Sequence, residues 1–202
     1  MTDERPLVAL YADESCIGNG REGDNPGGAG ALLEFTRGGG ELVRRDLWLC
    51  EPATTNNRMA LRSVTDVFRA LHSKGALFRV VFTSDSRYLI DGMSDWVHGW
   101  AKRGWTRKTG PIENLSLWHD AIRSVSGSAV QWRWVRGHDG HIQNEYANFL
   151  ATRAAAEQTA SDGWVDSGLA QWLAEERNAK RMTSPPAPFP ATFRASPALP
   201  SV

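Results

Sequence analysis

The chain has 202 residues with 23 basic and 23 acidic side chains, a formal net charge of zero. That length fits about one domain with a decoration and can bury a proper core, while the balanced charge excludes a whole-molecule field for polyanions, so any nucleic-acid surface must be local. Cys16 and Cys50 are too few for a disulfide scaffold and suit a reducing, cytoplasmic setting, and with neither an apolar segment after Met1 nor a run of the roughly 18 apolar residues that a span needs, no signal peptide and no membrane association are expected.

The first organised stretch is an apolar run from Leu7 to Ala12 that ends in Asp13, Glu14, Ser15, Cys16, Gly18 and Asn19. An apolar run bounded by polar residues reads as a buried strand. Acids at its exit sit where α/β sheets open to ligands and metals. Residues 18–30 carry six glycines and Pro26 and predict a flexible loop, with Arg21, Glu22 and Asp24 at its exposed part. The loop lacks the Lys-Ser/Thr ending of a phosphate loop, so a turn between strands is the plain reading. Residues 29–35 and 41–49 flank Thr36 to Gly40 and predict a glycine-turned hairpin. Three antiparallel strands therefore open the chain.

Polar residues 51–57 supply helix caps. Leu61, Val64, Val67, Phe68 and Leu71 then recur at three- and four-residue steps, which predicts a helix over 57–73 closed near Gly75. Residues 77–84 form a second apolar strand with an acid, Asp85, at its exit, and a helix is expected over 88–100. A basic loop, 101–110, leads to a helix over 112–125. Residues 130–135 alternate, which places Val130, Trp132 and Trp134 on one face. Trp118, Trp132 and Trp134 are assigned to the core. A Gly-hinged loop from Arg136 to His141 precedes a helix over 144–156. One amphipathic helix is expected over 163–182, on Trp164, Leu169, Trp172 and Leu173. Residues 183–202 hold six of the ten prolines and read as a non-globular tail. The chain divides into a main domain, 1–156, a helical extension, 157–182, and a Pro-rich tail, 183–202. The tail either packs through Phe189 and Phe193 or serves as a flexible interaction segment.

Asp13 and Asp85 share one context, an apolar strand followed by an acid. Either alone reads best as a cap or loop residue. Together they can lie side by side in a sheet, and paired carboxylates suit a hard cation such as Mg²⁺ or Mn²⁺. A second cluster spans Trp96 to Ile112, which holds no acid but has Lys102, Arg103, Arg107 and Lys108 among Trp96, Trp100 and Trp105. Such a basic-aromatic patch suits a grip on nucleic-acid phosphates and sugars. Each ring is expected to be part buried, with the basic side chains reaching out.

Six motifs in order resemble type 1 ribonuclease H: Ala12-Asp13-x-Ser-Cys-x-Gly-Asn19; Thr54-Thr-Asn-Asn-Arg-Met59; Ser84-Asp85-Ser86; Trp96-x-x-x-Trp100-x-x-Arg-Gly-Trp105; Asn114-x-x-Leu-Trp118; and Trp134-Val-Arg-Gly-His-x-Gly-His-x-x-Asn-Glu145. The resemblance covers residues 7–156. It implies an α/β fold with a five-stranded mixed sheet, three antiparallel then two parallel strands, flanked by helices. It also implies a monomeric endonuclease that hydrolyses the RNA strand of RNA–DNA hybrids, leaving 3′-hydroxyl and 5′-phosphate ends, with two Mg²⁺ ions. Asp13 would bridge both ions, Asp85 would hold the ion on the nucleophile side, and His138 would move protons or release product. Cys16, Asn19 and Asn56 would read 2′-hydroxyls; Asn57, Trp96, Trp100, Lys102 and Trp105 would meet the DNA strand, and Arg87 the RNA strand. These amides and the Trp-rich patch argue against a third reading, a DNA-junction resolvase of related fold.

Two departures bear on that expectation. The family usually has Glu after the Asn-Asn-Arg-Met stretch, where this chain has Ala60, and a further carboxylate where it has Asn148, which can offer only an uncharged carbonyl. The residue after the first aspartate, commonly glycine, is here Glu14. Glu14 could replace the acid missing at position 60. Neighbouring strand residues point to opposite faces, so this needs the strand to end or bulge there. The alternative is an impaired enzyme, a hybrid-binding module without catalysis.

Overall fold

The computed structural model describes residues 3–21 and 24–202; Glu22 lies outside the described residues. Strand β1, Leu7–Cys16, is the centre of the fold. It pairs antiparallel with β2, Gly27–Thr36, which pairs antiparallel with β3, Leu42–Glu51. On its other side β1 pairs parallel with β4, Arg79–Ser84, and β4 with β5, Ala129–Trp134. These five strands are the mixed sheet expected. A sixth, β6, Val165–Asp166, adds antiparallel to β3 and completes the order β5-β4-β1-β2-β3-β6.

Alternation along β1 separates two cores. Val8, Leu10 and Ala12 pack with α1, Asn56–His72, and α4, Leu115–Val125. Ala9 and Tyr11 pack with α5, Ile142–Glu157, and α6, Leu169–Asn178. Between β4 and α4 runs a helical segment made of α2, Arg87–Asp91, a π-helical turn, Gly92–Trp96, and α3, Val97–Lys102. The single helix expected over 88–100 is therefore interrupted. A Cβ at Gly92 would overlap the Trp118 indole, so the widened turn fits around a large ring.

The glycines at the start of β2 are strand, not loop. A side chain at Gly28 or Gly30 would strike the backbone of α5 at Ala151 or Ala147. Their absence lets α5 lie directly on the sheet. Gly30 pairs with Asp13, so this close approach also brings the start of α5 to the exit of β1.

The C-terminal segment departs most from expectation. Residues 163–168 are not helical, and α6 covers only ten residues. The cause is Asp46, a buried carboxylate on β3 that accepts from Tyr146 Oη at 2.5 Å and from Gly168 N at 2.9 Å. A buried carboxylate must be hydrogen-bonded, and this one fastens the chain just before α6, leaving residues 165–166 to pair with β3. The tail is docked rather than free. Ser196 N donates to Val130 O at 2.8 Å, Trp132 N to Ser196 Oγ at 3.1 Å, and Arg194 N to Gln131 Oε1 at 3.1 Å. Phe189 packs on one core and Leu199 on the other, and Arg79 stacks over Phe193 at 5.9 Å. The C-terminal segment thus covers both edges of the five-stranded sheet, β3 through β6 and β5 through the tail. Uncovered edges invite pairing with other chains.

Candidate active site

The parallel register of β1 and β4 sets the site. Tyr11 pairs with Thr83, the last pair of that ladder. Two further residues along each strand put Asp13 level with Asp85, and three put Glu14 level with Ser86. Asp13 is buried, and its carboxylate accepts from Glu14 N at 2.7 Å and from Asn144 Nδ2 at 3.0 Å. Asn144 also favours the ionised form of Asp85, so one amide at the start of α5 bonds one strand exit and faces the other.

Glu14 belongs to this cluster, though not by the route the sequence suggested. The β1–β2 ladder runs unbroken through Asp13, Glu14 and Cys16, with neither an end nor a bulge. Glu14 therefore leaves on the α1 face, the side on which Ala60 is buried in the core. Because the ladder to β4 has already ended, its side chain has an open edge to turn around. It comes beside Ser86, which favours its ionised form, and lies in the field of Asp85. The first turn of α1 has no acid.

The electrostatics follow from this crowding. Burial, then Asp85, Glu14 and Glu145, push the Asp13 carboxyl up to about 9. Burial pushes Glu14 up to about 8, against the lowering by Ser86. Burial also raises Asp85, with His138 working against the shift. Desolvation and like charge both disfavour the ionised forms, so the cluster is short of positive charge. The buried Asn144 Oδ1 has no hydrogen-bond partner. Hard oxygen donors, surplus negative charge and an orphaned carbonyl oxygen together fit a divalent cation. Among the described residues no three His, Cys, Asp or Glu side chains are gathered closely enough to cage an ion alone.

The loop after β5 closes over the cluster. Gly137 is so near Asp85 that a Cβ would overlap its carboxylate. His138 takes a left-handed backbone, φ 55°, and its exposed ring has Nδ1 3.5 Å from Glu145 Oε2. Asn144, Glu145, Ser86 and Gly137 escaped the sequence-based selection, although all four lie inside or beside the motifs. Their signal was position, one residue from a chosen acid or in the first turn of a helix. Asn148 lies half-buried on α5, one turn beyond Asn144 and so on the same side of the helix.

The amides chosen for substrate converge at the start of α1. Asn19 Oδ1 accepts from Asn56 N at 3.3 Å, and Thr55 caps the helix by accepting from Arg58 N. The Cys16 thiol donates to Thr54 O and Asn25 O. Asn56 Oδ1 is buried without a partner, and Asn57 is exposed. Among the aromatic residues, Trp100 is buried against Trp118, their rings 5.5 Å apart. Trp96 is half-buried against Tyr88 and Trp100, and Trp105 is half-buried edge-on to His119. Lys102, Arg103, Arg107 and Lys108 are exposed. Trp118 and Trp132 are core, as expected, but Trp134 is 36% exposed. β5 outlasts the core there, and the indole instead donates to Asp85 O at 3.0 Å and carries the Arg87 guanidinium 3.6 Å above its ring.

Comparison with known proteins agrees with this geometry. The family model described as RNase H matches residues 5–156. Curated relatives named Ribonuclease H include one from Stutzerimonas stutzeri, 42% identical over 74% of this chain and 92% of its own. Another, from Halorhodospira halophila, is 41% identical over 79% of this chain and 100% of its own. The crystal structure of LC9-RNase H1, a type 1 RNase H with the type 2 active-site motif, is 62% identical with a TM-score of 0.92, covering 100% of this chain and 97% of its own. The solution structure of the PFV RNase H domain, at 16% identity and a TM-score of 0.61 over 76% of this chain and 96% of its own, shares the fold. The strand exits, their carboxylates and the matched length agree, and the chain belongs to the ribonuclease H family.

Proposed function

We propose that this protein is an endonuclease that hydrolyses the RNA strand of RNA–DNA hybrids with two Mg²⁺ ions, Mn²⁺ serving as a substitute, and leaves 3′-hydroxyl and 5′-phosphate ends. In the reaction a water oxygen bonds to phosphorus, the bond from phosphorus to the 3′ oxygen breaks, and that oxygen takes up a proton. The ions, when bound, activate the water and stabilise charge on the leaving oxygen. Asp13, central in the cluster, would hold the metal. Asp85 serves the nucleophile side, Glu14 supplies the acid that Ala60 lacks, and Asn148 offers a carbonyl oxygen. His138, exposed beside Glu145, passes protons between the site and water. Cys16, Asn19 and Asn56 read the RNA minor groove, with Asn57 at the DNA side. Trp96, Trp100, Lys102 and Trp105 form the grip on the DNA strand, and Arg87, held on Trp134, reaches the RNA strand.

The observation that carries this reading is Glu14, placed at the exit of β1 beside Asp13, level with Ser86 and in the fields of Asp13 and Asp85. It supplies a third acid to the site, which disfavours a binding module without catalysis. The tail docked along β5 covers that edge of the sheet and supports a monomer. Cys16 and Cys50 are free thiols, which supports a cytoplasmic setting. The test is cleavage of a labelled hybrid by Glu14→Ala. Loss of a metal-holding carboxylate is expected to lower kcat by roughly 100-fold or more, and adding Ala60→Glu should restore part of it. Parental activity in the single variant refutes the assignment.

A further inference from the structure

One contact of the docked tail reaches the site. Gln143, the second residue of α5, is fully buried, and both ends of its amide meet the same residue. Nε2 donates to Ala187 O at 2.8 Å, and Oε1 accepts from Ala187 N at 3.0 Å. Ser184 comes up to Gly140, and Arg177 on α6 donates to Ser184 O at 3.3 Å. Pro185 and Ala187 form one side of a groove whose other side is Asp139, Gly140 and His141, the end of the His138 loop. The sequence here, Pro185-Pro186-Ala187-Pro188, favours stiff extended backbone, so little freedom is lost in holding it.

The next residue along α5 is Asn144, which bonds Asp13, and the one after is Glu145, which faces His138. The first turn of a helix has no intrahelical partners for its N–H groups and depends on outside contacts to fix it. A two-point amide clamp sets both the position and the rotation of that turn. We infer that Gln143, clamped by Ala187, is a positioning residue for the reaction. It holds the first turn of α5 so that Asn144 and Glu145 meet the strand-exit carboxylates and His138. The inference rests on the proposed site for its catalytic consequence, but the clamp itself is independent of that reading.

Ala187→Pro tests it. Proline suits this segment, keeps the carbonyl and removes only the N–H that Gln143 accepts. Phe193→Ala, which loosens the tail away from α5, is the comparison. Two quantities are read: kcat and KM on a labelled hybrid, and the side-chain amide resonance of Asn144 in the metal-free protein. Ala187→Pro is expected to shift that resonance and to lower kcat about 3- to 10-fold, the scale of one lost hydrogen bond, with KM unchanged. Phe193→Ala should leave both near parental values. An unmoved resonance in Ala187→Pro overturns the inference, as does a Phe193→Ala variant that reproduces its losses. A shifted resonance with parental kcat supports the clamp and overturns the catalytic reading of Asn144's contacts.

Discussion

In the carboxylate cluster the charges are sunk and a backbone ladder holds them; across residues 96–108 the rings are sunk and the charges stand in water. Asp13 is 6% exposed, and burial raises all three acids of its cluster. Lys102, Arg103, Arg107 and Lys108 are all exposed, over a stack in which Trp100 is buried and Trp96 and Trp105 are half-buried. The first arrangement disfavours ionised carboxylates, a cost that protons or a bound cation relieve. The second carries no such cost and offers its cations to whatever polyanion arrives. On the proposed reading chemistry and grip are separated, and variants in one region should leave the other intact.

The largest effect is expected from Asp13→Asn. It keeps the shape and can still bond Asn144, but it loses the charge shared by the whole cluster. Hybrid cleavage should fall by roughly a thousandfold or more, the several kcal/mol that metal-held groups contribute. Binding of a hybrid, measured by fluorescence anisotropy, should stay within about threefold of the parent, since phosphate contacts dominate affinity. A variant that loses binding along with cleavage breaks the separation.

A smaller effect follows from the raised acids in the metal-free protein. An unfolded carboxyl ionises near pH 4, whereas folded Asp13 sits at about 9 and Glu14 at about 8. Between those values the folded state holds more protons than the unfolded one, so stability falls as pH rises. The cost is absent below about pH 4 and complete near pH 9. With chelator present, Tm should therefore drop from pH 6 to pH 9 more steeply than in Asp13→Asn, and Mg²⁺ should restore most at the alkaline end. Equal slopes in parent and variant would mean that the cluster is not strained by its charges.

The two regions also differ in how legible they were. Asp13 and Asp85 could be read from strand exits because apolar runs set the register, and the register sets what lies level. Glu14 was legible as a gain but not as geometry. The expectation of a bulge failed because the decisive fact, that the β1–β4 ladder stops at Tyr11, belongs to another strand. Trp134 was misplaced by the same limit: alternation gives a face but not where the core ends. The helix over 163–182 failed, and the choice between a packed and a free tail stayed open, for a longer-range reason. Asp46 captures Gly168, and Gln143 captures Ala187, from over 40 residues away, and no local pattern carries that. Glycines 28 and 30 read as a loop by composition, while their role is to admit α5.

The smallest effect is the most specific test of the grip. Lys102 and Arg103 end α3 and begin the basic loop, exposed and without an acid partner within salt-bridge distance among the described residues. Arg107 differs, since Glu113 lies 3.8 Å away and already neutralises part of it. Lys102→Ala with Arg103→Ala should weaken hybrid binding severalfold and flatten its dependence on salt. The slope of log affinity against log salt should lose about one for each phosphate contact removed. kcat at saturating hybrid should stay parental. Arg107→Ala should change the slope less than either, because counterion release scales with free charge. A double variant with an unchanged slope would place the DNA strand elsewhere, and an equal loss from Arg107→Ala would mean that Glu113 turns away when the hybrid binds.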